Sequence, residues 1–157
     1  MQEWQGAGGK EKWLYEPWFV EEYYQSYAYT IADDSTGAAK IFETEAKRIY
    51  QLQNILKDYG TYLFVCLIPG KEMIYPEYLP ENTKYFKEKK ITAYDFYKKK
   101  FDEIGVNYID MAEWFKQLKG YTDYLLFPQK GTHWSNTAAV YAADSIFKYM
   151  EALGNMK

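Results

Sequence analysis

Thr61-Tyr-Leu-Phe-Val-Cys-Leu-Ile68, stopped by Pro69-Gly70, is the stretch on which the fold turns. A run of apolar side chains without alternation, closed by two residues that break regular structure, reads as a central strand of a parallel sheet with both faces covered. Upstream, Phe42, Ala46, Ile49, Leu52 and Leu56 recur at spacings of three and four, so Ala38 to Tyr59 reads as a helix. Glu43 and Lys47 pair one turn apart on it, and Gly60 closes it. A helix feeding such a strand points to α/β layering. Downstream, Lys71 to Pro80 contains two prolines and reads as an irregular excursion from the strand's C-terminal edge, where open α/β sheets hold their sites.

The same alternation continues toward the C-terminus. Thr92 caps a helix carrying Tyr94, Tyr97, Phe101 and Ile104 on one side and ended by Gly105. Val106 to Ile109 is a short second strand, and Asp110 with Glu113 forms a capping box for a helix to about Leu118. Tyr124 to Phe127 is a third strand or an extended segment, cut off by Pro128. Ser135 stands where an N-cap belongs, ahead of a last helix striped by Ala139, Ala142, Ile146, Tyr149 and Leu153 and closed by Gly154. At the other end, residues 1 to 10 read as a loose lead-in, Trp13 to Tyr15 as a brief strand or hairpin arm, and Pro17 forbids a long helix through its segment. Glu21 to Thr30 is dense in Tyr and ambiguous in period, Asp33 to Gly37 is a turn or capping loop, and Lys84 to Lys90 is a solvated basic face. The order implies an α/β, three-layer, flavodoxin-like architecture with a small, mainly parallel sheet, one domain over 157 residues.

Composition narrows the function. Nineteen basic against 22 acidic residues leave no basic field for phosphates, so nucleic acid is excluded as a partner. Cys66 lies alone inside the apolar run, as a small buried hydrophobe, and provides no disulfide or zinc framework. No stretch reaches the roughly 18 apolar residues of a membrane span, and the first ten residues lack the pattern of a signal peptide. Aromatics are abundant, with 18 Tyr, 9 Phe and 5 Trp. They either stack on sugar faces, with Trp13, Trp18, Tyr75, Tyr78 and Trp134 as platforms, or fill half-buried positions with their hydroxyls at the surface.

His133 is the only imidazole. It is the one side chain suited to take and return a proton near neutral pH, and beside Trp134 it reads either as a general base or as a packed or capping residue. A nucleophile is harder to find. Ser135 is two residues away on a loop entering a helix, poor geometry for a Ser-His pair, and Ser26, Ser35 and Ser145 have no supporting motif. There is no Gly-x-Ser-x-Gly elbow, no Walker loop and no metal-ligand His pair, so no cofactor is expected.

Three motifs carry a resemblance. Gly9-Lys-Glu-Lys-Trp-Leu-Tyr15, Leu67-Ile-Pro-Gly-Lys71 with Ile74-Tyr-Pro-Glu-Tyr-Leu-Pro80, and Gly131-Thr-His-Trp134 are similar, in that order, to segments of the SGNH hydrolase-like domains typified by the alginate O-acetylation proteins AlgJ and AlgX and the related DHHW proteins. The resemblance implies a permuted SGNH fold in which His133 is the general base and Trp134 a packing or site-wall residue; Trp134, Lys71, Tyr75 and Tyr78 are the residues expected in the substrate-binding region. It also implies a polysaccharide and an acetyl-donor membrane protein as partners, and a place in the cell envelope outside the cytoplasm. The chain departs from the pattern at two points: the acid of the His motif is Gly131, and the Gly-Asp-Ser block that follows in the family does not occur before Lys157. Without the acid the imidazole loses tautomer control, and without the hydroxyl no acyl-enzyme forms. The expectation is therefore an O-acetyltransferase-like or acetylesterase-like domain, truncated or catalytically incomplete. A glycan-binding module and a structural or assembly module of the envelope are the alternatives.

Overall fold

A computed structural model describes residues 7–23, 37–80 and 92–155. The Tyr-rich residues 24–30, most of the Asp33 to Gly37 turn, the Lys84 to Lys90 run, Ser26 and Ser35 lie outside the described residues. In chain order the described helices and strands are β1 (Ala7–Gly8), β2 (Leu14–Tyr15), α1 (Pro17–Tyr23), α2 (Ala38–Asp58), β3 (Val65–Leu67), α3 (Lys71–Ile74), α4 (Ala93–Ile104), β4 (Tyr108–Asp110), α5 (Met111–Lys119) and α6 (Asn136–Asn155), with short 3-10 turns at Lys10–Lys12 and Pro76–Tyr78.

β3 and β4 pair in parallel, with Val65 opposite Tyr108, Cys66 opposite Ile109 and Leu67 opposite Asp110. Side chains alternate across a strand. Val65, Leu67 and Tyr108 accordingly pack with Ala46, Ile49, Tyr97 and Phe101 of α2 and α4. Ile109 faces the other way, into a larger cluster built from Trp13, Tyr15, Ile74, Tyr75, Phe115, Phe127 and Ala142. The small parallel sheet thus lies between two apolar layers, the α/β layering that the apolar run implies.

Local chemistry explains the boundaries. α2 ends in a Schellman arrangement in which Gly60 N–H donates to Lys57 O at 2.9 Å and Thr61 N–H to Leu56 O at 3.0 Å, with Gly60 at φ 71°. Thr92 caps α4 with the full reciprocal box through Asp95. The Asp110 carboxylate accepts from Glu113 N–H and starts α5. Pro17, which forbids a long helix through its segment, stands at the first position of the seven-residue α1, where its missing N–H is an orphan in any case.

Several expectations change. Within the lead-in, β1 pairs antiparallel with β2 and Gly9 is packed: a Cβ on it would stand 2.2 Å from the Tyr78 carbonyl oxygen and 2.9 Å from the Tyr15 ring. β3 is three residues long and half-buried, and Ile68 beyond it is 61% exposed; among the described residues β4 is its one strand neighbour. On α2, Leu52 is exposed and Gln53 is buried in its place. On α6 the buried stripe starts at Ala138 and not Ala139, and the helix runs through Gly154 to Asn155. Tyr124 to Phe127 joins no strand. It bends at Tyr124, Leu126 and Phe127, and its Leu126 and Phe127 are core residues.

Candidate functional site

Lys71 follows Pro69-Gly70 at the C-terminal end of β3, at the first position of α3, and its side chain is buried with 4% of the residue exposed. Its ammonium donates to the carbonyls of Leu14 (2.8 Å), Pro128 (2.7 Å), Gln129 (2.9 Å) and Gly131 (3.1 Å). Three protons serve four oxygens, so at least one is shared. The rings of Trp13 and Tyr15 cover the cation at 4.7 and 5.0 Å from their centroids. Burial pulls the ammonium down to about 8. The carbonyls and the ring faces act the other way, since both favour the charged form. One charge therefore joins the Trp13 to Tyr15 arm, the excursion after β3 and the loop ahead of His133.

The aromatic residues complete this joint. Tyr15 donates its hydroxyl to the Tyr75 carbonyl at 2.7 Å, and the Tyr75 hydroxyl accepts from Leu126 N–H at 3.1 Å. Burial raises the Tyr75 phenol, with the Leu126 hydrogen bond working in the opposite sense. Trp13 stacks on Tyr78 with centroids 4.4 Å apart and planes 4° apart. Lys119 closes the excursion from α5, donating to Ile74 O at 2.7 Å and to Glu77 at 2.6 Å with its ammonium 4.5 Å from the Tyr75 centroid.

The His loop is pinned on both sides of the imidazole. Gln129 accepts Leu14 N–H at 3.0 Å and donates its side-chain amide to Glu11 O at 2.6 Å. Ser135 N–H donates to Leu126 O at 2.8 Å, and the Ser135 hydroxyl accepts from Ala138 N–H at 3.1 Å, which is the N-cap of α6. Trp134 is half-buried, its ring 4.9 Å from Phe115 in the core. Thr132 donates its hydroxyl to the Glu16 carboxylate at 3.3 Å. Between these anchors His133 is exposed. The arrangement presents an imidazole to solvent on a fixed loop, beside the excursion.

The residues singled out in the sequence are brought together, in two different settings. His133 faces water and Trp134 holds its loop. Lys71 and Tyr75, read as substrate-binding, are buried and occupied by backbone partners, and Tyr78 is half-buried beneath Trp13. Of the rings considered as sugar platforms, Trp13 and Tyr75 are each only 4% exposed, whereas Trp18 is 57% exposed. Glu16 escaped the sequence reading because its partner Thr132 is 116 residues away. Gly131 has a steric side as well: a Cβ there would approach Pro128 Cγ to 3.2 Å, so an acid at this position requires the proline ring to yield. Among the described residues no cluster of His, Cys, Asp and Glu has the geometry to hold a metal ion, and no helix is long and apolar enough to cross a membrane.

The sequence model of one family, described as SGNH hydrolase-like domain, acetyltransferase AlgX, matches residues 7–156. No curated protein and no solved structure matches the chain.

Proposed function

This chain belongs to the family of SGNH hydrolase-like AlgX acetyltransferase domains, and from that premise we propose that it serves polysaccharide O-acetylation with His133 as general base, while lacking a complete acyl-transfer site of its own. In such a transfer the base takes the proton of an attacking hydroxyl as it adds to the acetyl carbonyl, then returns it to the leaving oxygen. The observation that carries the reading is the setting of His133, exposed on a loop fixed by Lys71 and Trp134 and therefore open to a hydroxyl brought from outside. The residues around it support the second half. Position 131 has no side chain to steer the ring, and the two hydroxyls close in sequence are both engaged, Thr132 with the Glu16 carboxylate and Ser135 in capping α6. An exported location and an acetyl-donor membrane protein as partner belong to the same proposal.

The test has two arms. With an acetylated polysaccharide as substrate, the isolated chain releases no acetate that depends on His133, so wild type and His133→Ala behave alike. An alkyl ester is needed because free imidazole alone cleaves activated aryl acetates. In the source cells, replacing the gene with His133→Ala lowers polysaccharide-bound acetate. A fast His133-dependent release by the isolated chain overturns the claim of incompleteness, and unchanged bound acetate in the cells overturns the role of His133.

A further inference from the structure

The parallel strands have a second end, and it carries a cleft unrelated to His133. Helices that connect parallel strands run back against them, so their C-termini collect at the strands' N-terminal edge. Here α2 ends at Asp58 ahead of Gly60, α4 ends at Ile104 ahead of Gly105, and Leu153 lies in the last turns of α6. Between these ends is a cleft of about 360 Å³.

Its floor is polar and fixed. Gln53, only 8% exposed, donates its amide to Gly105 O at 3.0 Å and accepts Asn107 N–H at 2.7 Å, and the Asn107 amide donates to Leu63 O at 3.2 Å. Two aromatic walls rise from it. Tyr50 lies against Gly105, where an added Cβ would be 3.9 Å from the ring, and both Tyr50 (36%) and Tyr62 (39%) keep more than a third of their surface in water. Asn54 and Lys57 stand exposed at the rim.

This lining selects against other ligands. No carboxylate of the described residues lines the cleft, so a divalent cation lacks its ligands. The converging helix C-termini bring partial negative charge that disfavours anions, opposed among the described lining side chains by Lys57 alone. What suits it is a neutral, hydroxyl-rich ring with an apolar face for the tyrosines and an edge for the side-chain amides. We propose that this cleft, at the opposite end of the parallel strands from the His133 loop, binds a neutral pyranose unit of a glycan, and the inference stands whether or not His133 is a base.

The test is an NMR titration of the ¹⁵N-labelled chain with cellohexaose, maltohexaose, mannohexaose and xylohexaose, and separately with hexagalacturonate. At millimolar sugar, at least one neutral hexasaccharide shifts the amide signals of Asn54, Thr61, Tyr62 and Asn107 and leaves Thr132 to Trp134 unmoved. Tyr62→Ala weakens that binding about tenfold while the spectrum elsewhere is preserved, and Asn54→Ala acts in the same direction. Absence of shifts with every neutral sugar, shifts lying elsewhere, tighter binding of hexagalacturonate, or equal affinity in both variants overturns the proposal.

Discussion

Ser135 decides between two chemistries with one oxygen. Its hydroxyl receives Ala138 N–H at the start of α6, so its removal is a loss of helix capping. Ser135→Ala lowers stability by about 1 kcal/mol in urea unfolding, and Ser135→Asn, which also caps, restores most of it. Neither substitution changes polysaccharide-bound acetate in the source cells, whereas a specific loss of bound acetate with a stable Ser135→Asn variant would mark the residue as a nucleophile. This role was legible from the position of Ser135 ahead of an apolar stripe. Glu16 was not legible, since nothing local to it announces a hydrogen bond to Thr132. The burial of Lys71 was not legible for a related reason: lysines are mostly exposed, and burial of this one follows from carbonyls 57 to 60 residues away in sequence.

At the scale of elements, Asp110 ties β4 to two helices. Its carboxylate accepts from Tyr94 O–H at 2.9 and 3.0 Å, from Glu113 N–H at 2.9 Å, and from the Lys98 ammonium. Burial raises its pKa, but the Lys98, Glu113 and Tyr94 hydrogen bonds outweigh this and hold it below the ordinary 3.8. A carboxylate with a depressed folded pKa adds stability that is present above its unfolded pKa and is lost as pH falls through the folded one. Unfolding midpoints measured from roughly pH 5 to pH 2 therefore fall steeply in the wild type and less steeply in Asp110→Asn, and parallel curves would remove Asp110 from the acid response. The Asp110–Glu113 spacing made this helix start readable. Helix faces were read less well, because a period of three and four does not fix which flanking residue turns inward. Gln53 displaces Leu52 from the interior since its amide serves Gly105 and Asn107 of another segment, a demand invisible along α2.

For the whole molecule, the apolar run before Pro69 announced the parallel strand, and three motifs far apart in sequence announced the family. Their meeting place was not announced, because it is a polar joint inside an aromatic shell. Lys71 holds the Trp13 to Tyr15 arm, the excursion and the His loop on one ammonium. Lys71→Met leaves carbonyls without their donor and lowers stability by roughly 3 kcal/mol, or about 6–12 °C in Tm. Hydrogen exchange in that variant tests the joint most directly. Amide protection falls together in residues 9–15 and 126–135 while α2 and α4 keep theirs; unchanged protection in those two segments, or a loss spread evenly over the chain, refutes the joint.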